Sequence, residues 1–232
     1  MHIPDGYLSP QTYIPLIGLF AGVTAIAVKK VKTEVSARDV PYLGMAAAFS
    51  FIIMMFNLPV PGGTTGHAVG SAVIAILFGP WAATIAVSVA LIIQALIFGD
   101  GGITAIGANC FNMAVFMSFA AYYLFRLFSG RPGNKRRTFF SAFISGYLSL
   151  VLTSVLAAVE FGIQPLIASD GFGKALYCPY DLSIAIPAMA LEHLLIFGIV
   201  EGLITALVVS YFLKNEPDLI YALRKGGKKN NE

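Results

Sequence analysis

Residues 81–98 read WAATIAVSVALIIQALIF, from Trp81 to Phe98, without one charged side chain. As a helix this stretch is roughly 27 Å long, close to the hydrocarbon thickness of a bilayer. Turn residues punctuate both ends, Gly79-Pro80 before it and Gly99-Asp100-Gly101-Gly102 after it. It therefore reads as a membrane-crossing helix, and the chain around it has the same character. Of the 232 residues, 57% are hydrophobic and 12% charged, with a mean hydropathy of +0.79, whereas soluble domains are typically about a quarter charged. A soluble domain with one buried helix would not show repeated runs of this length. The fold class is all-α integral membrane, a single bundle. Cys110 and Cys178 are too few for a disulfide framework, and no redox compartment follows from them.

Outward from that stretch, the apolar runs and their breakers predict seven helices over residues 11–28, 41–58, 67–78, 81–98, 103–128, 138–161 and 182–213. Together with residues 1–10 they form one transmembrane domain, 1–213, followed by a polar tail, 214–232. Ser9-Pro10 suits a helix start, and Pro59 and Pro61 close the second helix. Seven crossings put the termini on opposite sides. Every Lys and Arg except Lys174 falls in or beside the connections after helices 1, 3 and 5, or in the tail. Such residues accumulate on the cytoplasmic side, so the N-terminus is expected outside and the C-terminus in the cytoplasm. The formal net charge of +3 follows this topology and does not point to nucleic acid. By alternation, residues 1–10, the glycine-rich turn before His67, the 99–102 turn and the loop 162–179 share the outer face.

That face carries the chemistry. The chain opens Met1-His2-Ile3-Pro4-Asp5-Gly6-Tyr7-Leu8-Ser9-Pro10. The α-amine, the His2 amide and the His2 imidazole can close fused chelate rings of five and six members on one ion, three nitrogens nearly in a plane. Such a set suits Ni²⁺ or Cu²⁺. The chain has two further histidines, His67 and His193. His67 shares the outer face and supplies a fourth nitrogen; on its own it would read equally well as a helix cap or a packed ring. His193 is expected about 16 Å along the last helix from Leu182 and fits an outer site less well. The start lacks a basic n-region and a cleavage site, so no cleavable signal is expected, and a bulky His2 disfavours removal of Met1. The run Pro61-Gly-Gly-Thr-Thr-Gly66 lacks the lysine of a phosphate loop. It reads instead as backbone passing close to another segment.

Several polar residues accompany these ligands. Thr64 and Thr65 are hydrogen-bonding candidates. Gln94, Asn109 and Asn112 are either helix-to-helix contacts or partners for a ligating imidazole, whose second N–H usually meets an oxygen. Asp5 and Asp100 can play that part or attract a cation. Glu160, Glu192, His193 and Glu201 are ionisable groups in or at the edge of apolar helices. A self-sufficient secondary metal/proton transporter using Glu192 and His193 as a relay is the competing mechanism. Gly44, Ala46, Ala47, Ala48 and Ser50 make a small-residue surface that serves either packing within the bundle or a partner subunit. No nucleophile–base–orienter set is placed by spacing, so an enzyme is not expected.

Residues 1–9 and His67 behind its glycine-rich turn resemble the nickel- or cobalt-capturing substrate-binding subunits of energy-coupling-factor transporters, the NikM/CbiM type. The resemblance implies a six-helix capture-subunit core with an additional N-terminal helix. It also implies a planar four-nitrogen site for Ni²⁺, alternatively Co²⁺, from the Met1 amine, the His2 amide and imidazole nitrogens and His67. The transported ion is the substrate rather than a resident cofactor. Implied partners are a transmembrane coupling subunit docking on residues 44–50, cytoplasmic ATPase subunits and a small accessory membrane subunit, in a prokaryotic cell membrane.

Overall fold

The computed structural model describes residues 1–36, 39–130 and 134–223. Among the described residues seven main helices follow one another: α1 Pro10–Glu34, α2 Val40–Met54, α3 Ser71–Phe78, α4 Pro80–Phe98, α5 Ile106–Ser129, α6 Lys135–Ile167 and α7 Leu182–Asn215. Five of them, α1 and α4 to α7, are long and apolar enough to cross a membrane. Arg38, Arg131 and the tail beyond Leu223, on which part of the charge argument rests, lie outside the described residues.

The helix boundaries show which local signals prevailed. Proline in the first turn starts α1 after the extended Ser9, and the helix runs on through its lysines to Glu34. The second helix stops at Met54, short of Leu58, because Leu58–Pro59 pairs antiparallel with Thr65–Gly66 in a small hairpin. Helix α3 begins at Ser71, not at His67. Gly70 takes a left-handed conformation, φ 78°, and the Glu201 carboxylate from α7 accepts the N–H groups of Val69 at 2.8 Å and Gly70 at 3.0 Å. A distant side chain thus supplies the cap. Three helices carry π-helical turns, at Gln94–Phe98, Cys110–Phe116 and His193–Phe197, and such turns are frequent at functional sites.

Small residues set the closest crossings. A Cβ on Gly107 of α5 would lie 2.5 Å from the Ile17 Cα of α1, and one on Gly202 of α7 would lie 2.8 Å from the Phe143 carbonyl of α6. A Gly107→Val substitution should therefore lower stability by about 1–3 kcal/mol through overpacking. Gly44→Val, where nothing lies within 4 Å, should stay within about 0.5 kcal/mol. Thermal unfolding of the two variants in detergent measures the contrast. The open face of α2 comprises Gly44 and Ala48, with Ala46 and Ala47 half-buried. Ser50 does not belong to it: buried, it donates to the Val69 carbonyl at 2.8 Å inside the bundle.

One end of the bundle gathers residues 1–9, the hairpin, the 99–104 turn and the loop before α7. At the other end the chain after α7 folds back. Ile220 is buried and the Tyr221 hydroxyl donates to Glu34 Oε2 at 3.1 Å, so the described stretch after α7 packs against the bundle.

Candidate metal centre

The first nine residues form a strap threaded into the gathered end. Ile3 is held as a strand partner would hold it. Its N–H donates to Asn109 Oδ1 at 2.8 Å, and its carbonyl accepts from Asn109 Nδ2 at 3.0 Å and from the Gly102 N–H at 2.9 Å. Gly102 is required there, since a Cβ would come within 2.4 Å of the Asp5 nitrogen. Asp5 accepts from the Ile103 and Thr104 N–H groups and from the Thr104 hydroxyl at 2.6 Å, and that hydroxyl chiefly holds its carboxyl below the ordinary range. Further along, the Ser9 N–H donates to Gln164 Oε1, and the Cys178 N–H donates to the Tyr7 carbonyl.

The tip of the strap is buried. Met1 is 1% and His2 3% exposed. The Met1 amine donates to the Thr65 carbonyl and to Thr65 Oγ1, the latter at 2.9 Å, and the His2 N–H points at the same hydroxyl at 3.3 Å. Burial pushes the amine down to about 4, against the pull of Asp100 and Glu192. At neutral pH it is therefore uncharged: its two hydrogens face Thr65, and its lone pair is available.

The His2 and His67 rings meet edge to face, centroids 4.6 Å apart. His67 is fully buried, and its Nδ1 lies 3.0 Å from the Ala68 carbonyl. A carbonyl only accepts, so Nδ1 carries the hydrogen and Nε2 the lone pair. That Nε2 is buried without a partner, the state a metal ligand needs. Burial also holds the His67 imidazole well below its ordinary value, with smaller contributions from the amine, His2 and His193. His2 Nδ1 lies 2.7 Å from Asp100 Oδ1, and Asn57 Nδ2 donates to the other Asp100 oxygen at 3.1 Å. Burial lowers the His2 imidazole despite that carboxylate. For Asp100 burial acts to raise the carboxyl, but the effects led by the side-chain hydrogen bond from His2 outweigh it and hold the carboxyl below its ordinary value. The pocket thus combines nitrogens with two carboxylates, Asp100 and Glu192, at its edge, an arrangement able to take a cation.

Thr65, Asp100 and Asn109 therefore stand at the strap or its ligands. Thr64 does not; its hydroxyl faces Met189 Sδ at 3.9 Å. Gln94 donates to the Phe51 carbonyl at 3.3 Å rather than reaching an imidazole, Asp5 ties down the strap, and Asn112 donates to Glu160 Oε2 at 2.7 Å. Among the described residues no group of three or more His, Cys, Asp or Glu side chains is arranged for a metal.

His193 requires a correction. Distance along α7 had set it apart from the site, but the hairpin descends beside α7. A Cβ on Gly62 would meet Ile184, one on Gly63 would meet Met189, and one on Gly66 would meet Phe197 and Glu192. The residue before His67 thus lies against the stretch of α7 that holds His193, between Glu192 and Phe197. Glu192 also borders the pocket, coupled to the amine.

A family model described as the cobalt uptake substrate-specific transmembrane region, CbiM, matches residues 2–219. The chain belongs to the CbiM family. It is 49% identical over 222 residues to the fused nickel transport protein NikMN of Rhodobacter capsulatus, covering 95% of this chain and 64% of that protein. It is 46% identical to a putative metal transport protein of Methanocaldococcus jannaschii, covering 94% of each. The cobalt transport protein CbiM of a Nostoc strain is 31% identical, covering 97% of this chain and 83% of that protein. The fold is similar to a crystal structure of a truncated transition metal transporter, 48% identical with a TM-score of 0.89, covering 92% of this chain and 99% of that one. The chain is thus a multi-pass membrane protein of a nickel and cobalt transport family. It spans just under two thirds of the Rhodobacter relative's length.

Proposed function

We propose that this CbiM-family chain captures Ni²⁺, or Co²⁺, from the outer side of the membrane, as the substrate-binding subunit of an ATP-driven energy-coupling-factor uptake system. The observation that carries this reading is the convergence of the uncharged Met1 amine, His2 and the partnerless His67 Nε2 in one buried pocket. The amine, the His2 amide and imidazole nitrogens and His67 make four nitrogen donors, a set suited to a square plane. The six-membered chelate ring closes through His2 Nδ1, which in the metal-free pocket faces Asp100. That Nδ1 carries a hydrogen toward Asp100, so loading would require the tautomer with the hydrogen on Nε2, which frees Nδ1 for the ion and leaves the net proton count of the ring unchanged. The open Gly44 and Ala48 face of α2 suits a transmembrane coupling subunit, with ATP hydrolysed by cytoplasmic partners. The family's relatives are named as transport proteins, and this chain is read as a binder rather than an enzyme.

The proton balance tests the site. The amine is uncharged above about pH 4 and both imidazoles are pulled down, so only the His2 amide proton has to leave. Near neutral pH each Ni²⁺ should release about one proton, and affinity should fall about tenfold per unit of acidification, more steeply once the amine protonates near pH 4. Calorimetric titration in two buffers of different ionisation heat measures the release; zero protons would rule out amide coordination. Flux in proteoliposomes with and without the ATPase subunits separates this reading from a self-sufficient transporter using Glu192 and His193.

A further inference from the structure

Two imidazoles in the interior are prepared in the same way, and the capture site uses one of them. His193 Nδ1 lies 2.7 Å from the Met189 carbonyl, as His67 Nδ1 lies against that of Ala68. Nδ1 therefore carries the hydrogen, and Nε2 presents a lone pair. His193 is 0% exposed and its Nε2 is buried without a hydrogen-bond partner, an arrangement that needs an explanation in a packed interior. The ring is not part of the four-nitrogen set: His67 packs edge-to-face on His2, whereas His193 packs on Phe197, centroids 5.8 Å apart. It opens a π-helical turn, His193–Phe197, against which the residue preceding His67 rests through Phe197 and the Glu192 carboxylate. Farther along the buried side of α7 the next ionisable group is Glu201, whose oxygens are taken by the Val69 and Gly70 N–H groups.

We propose that His193 and His67 form a second metal station, which accepts the ion as it leaves the planar site. This rests on the capture reading above. In the exchange the bonds from the metal to the Met1 amine and the two His2 nitrogens break. The His2 amide nitrogen regains a proton from water, the bond to His67 Nε2 is kept, a bond to His193 Nε2 forms, and water fills the remaining positions. No electron changes hands. Glu192 supplies negative charge beside the station.

The test uses the full chain and Ni²⁺ alone, with four proteins titrated by calorimetry: the native chain, His193→Asn, His2→Ala and the double variant. Asn keeps a donor for the Met189 carbonyl and lacks Nε2. The native chain and His193→Asn should bind with the same high affinity to within about threefold, which also reports that the variant folds. His2→Ala, its planar site disabled, should keep a weaker site, and the double variant should lose at least a further tenfold, about 1.4 kcal/mol. Equal binding by His2→Ala and the double variant, or none by His2→Ala, overturns the second station and leaves the capture reading standing. Equal affinity of the native chain and His2→Ala overturns the capture reading itself. Should His193→Asn lose its melting transition, His193→Gln replaces it in the same four-way comparison.

Discussion

One extra residue in front of Met1 should weaken Ni²⁺ binding about a thousandfold or more, equivalent to roughly 4 kcal/mol. Such an extension turns the amine into an amide, which has no comparable lone pair, and removes the first member of the chelate. It also adds volume where there is none, since Met1 is 1% exposed and its nitrogen is already in contact with two Thr65 oxygens. The effect should be confined to the tip. Asn109, Gly102 and Gln164 hold Ile3 and Ser9 by bonds that the added residue does not touch. The extended chain should therefore keep its melting temperature in detergent while losing the titration. Unchanged affinity would show that the amine is not a ligand; loss of both affinity and fold would place the strap, not the chelate, at fault.

His67→Ala should also be severe for binding, roughly a hundredfold to a thousandfold by loss of one nitrogen of four, yet mild for folding. In the metal-free protein the ring brings a buried, partnerless Nε2 into the core, a desolvation cost of about 1–3 kcal/mol. Truncation removes that cost while forfeiting ring packing against His2. The two effects offset, and the apo variant should melt within a few degrees of the native protein. Equilibrium dialysis with Ni²⁺ and a thermal scan without it read the two quantities separately. A variant that binds normally would remove His67 from the site; one that fails to fold would make its role structural. Such opposition between binding and stability is common where a site stores unsatisfied groups.

Much of this was legible before the coordinates. The uncharged run at 81–98 and its counterparts announced a helical membrane protein, and the opening residues together with His67 pointed to the nitrogen site proposed above. Depth was not legible. Helical rise measures His193 from the end of its own helix, but irregular backbone such as residues 60–66 carries no periodicity that tells how far it dips beside a neighbour. The start of α3 was hidden for a related reason: its cap is Glu201, a residue remote in sequence. The π-helical turns leave no mark on a 3.6-residue pattern. The contact of Thr65 with the amine was only partly visible, since its carbonyl, which meets the amine, is a group every residue has.

The strap also bears on the order in which the molecule is made. Met1 is seated by residue 65, Ile3 by residue 109 and Ser9 by residue 164. These residues are thus made well before the partners that seat them. Through most of synthesis the terminus waits beside a half-inserted bundle, its polar backbone unsatisfied by protein, and long-range closures of this kind are slow. Closure of the strap then waits for Gln164, so a seated strap reports that α6 has been inserted.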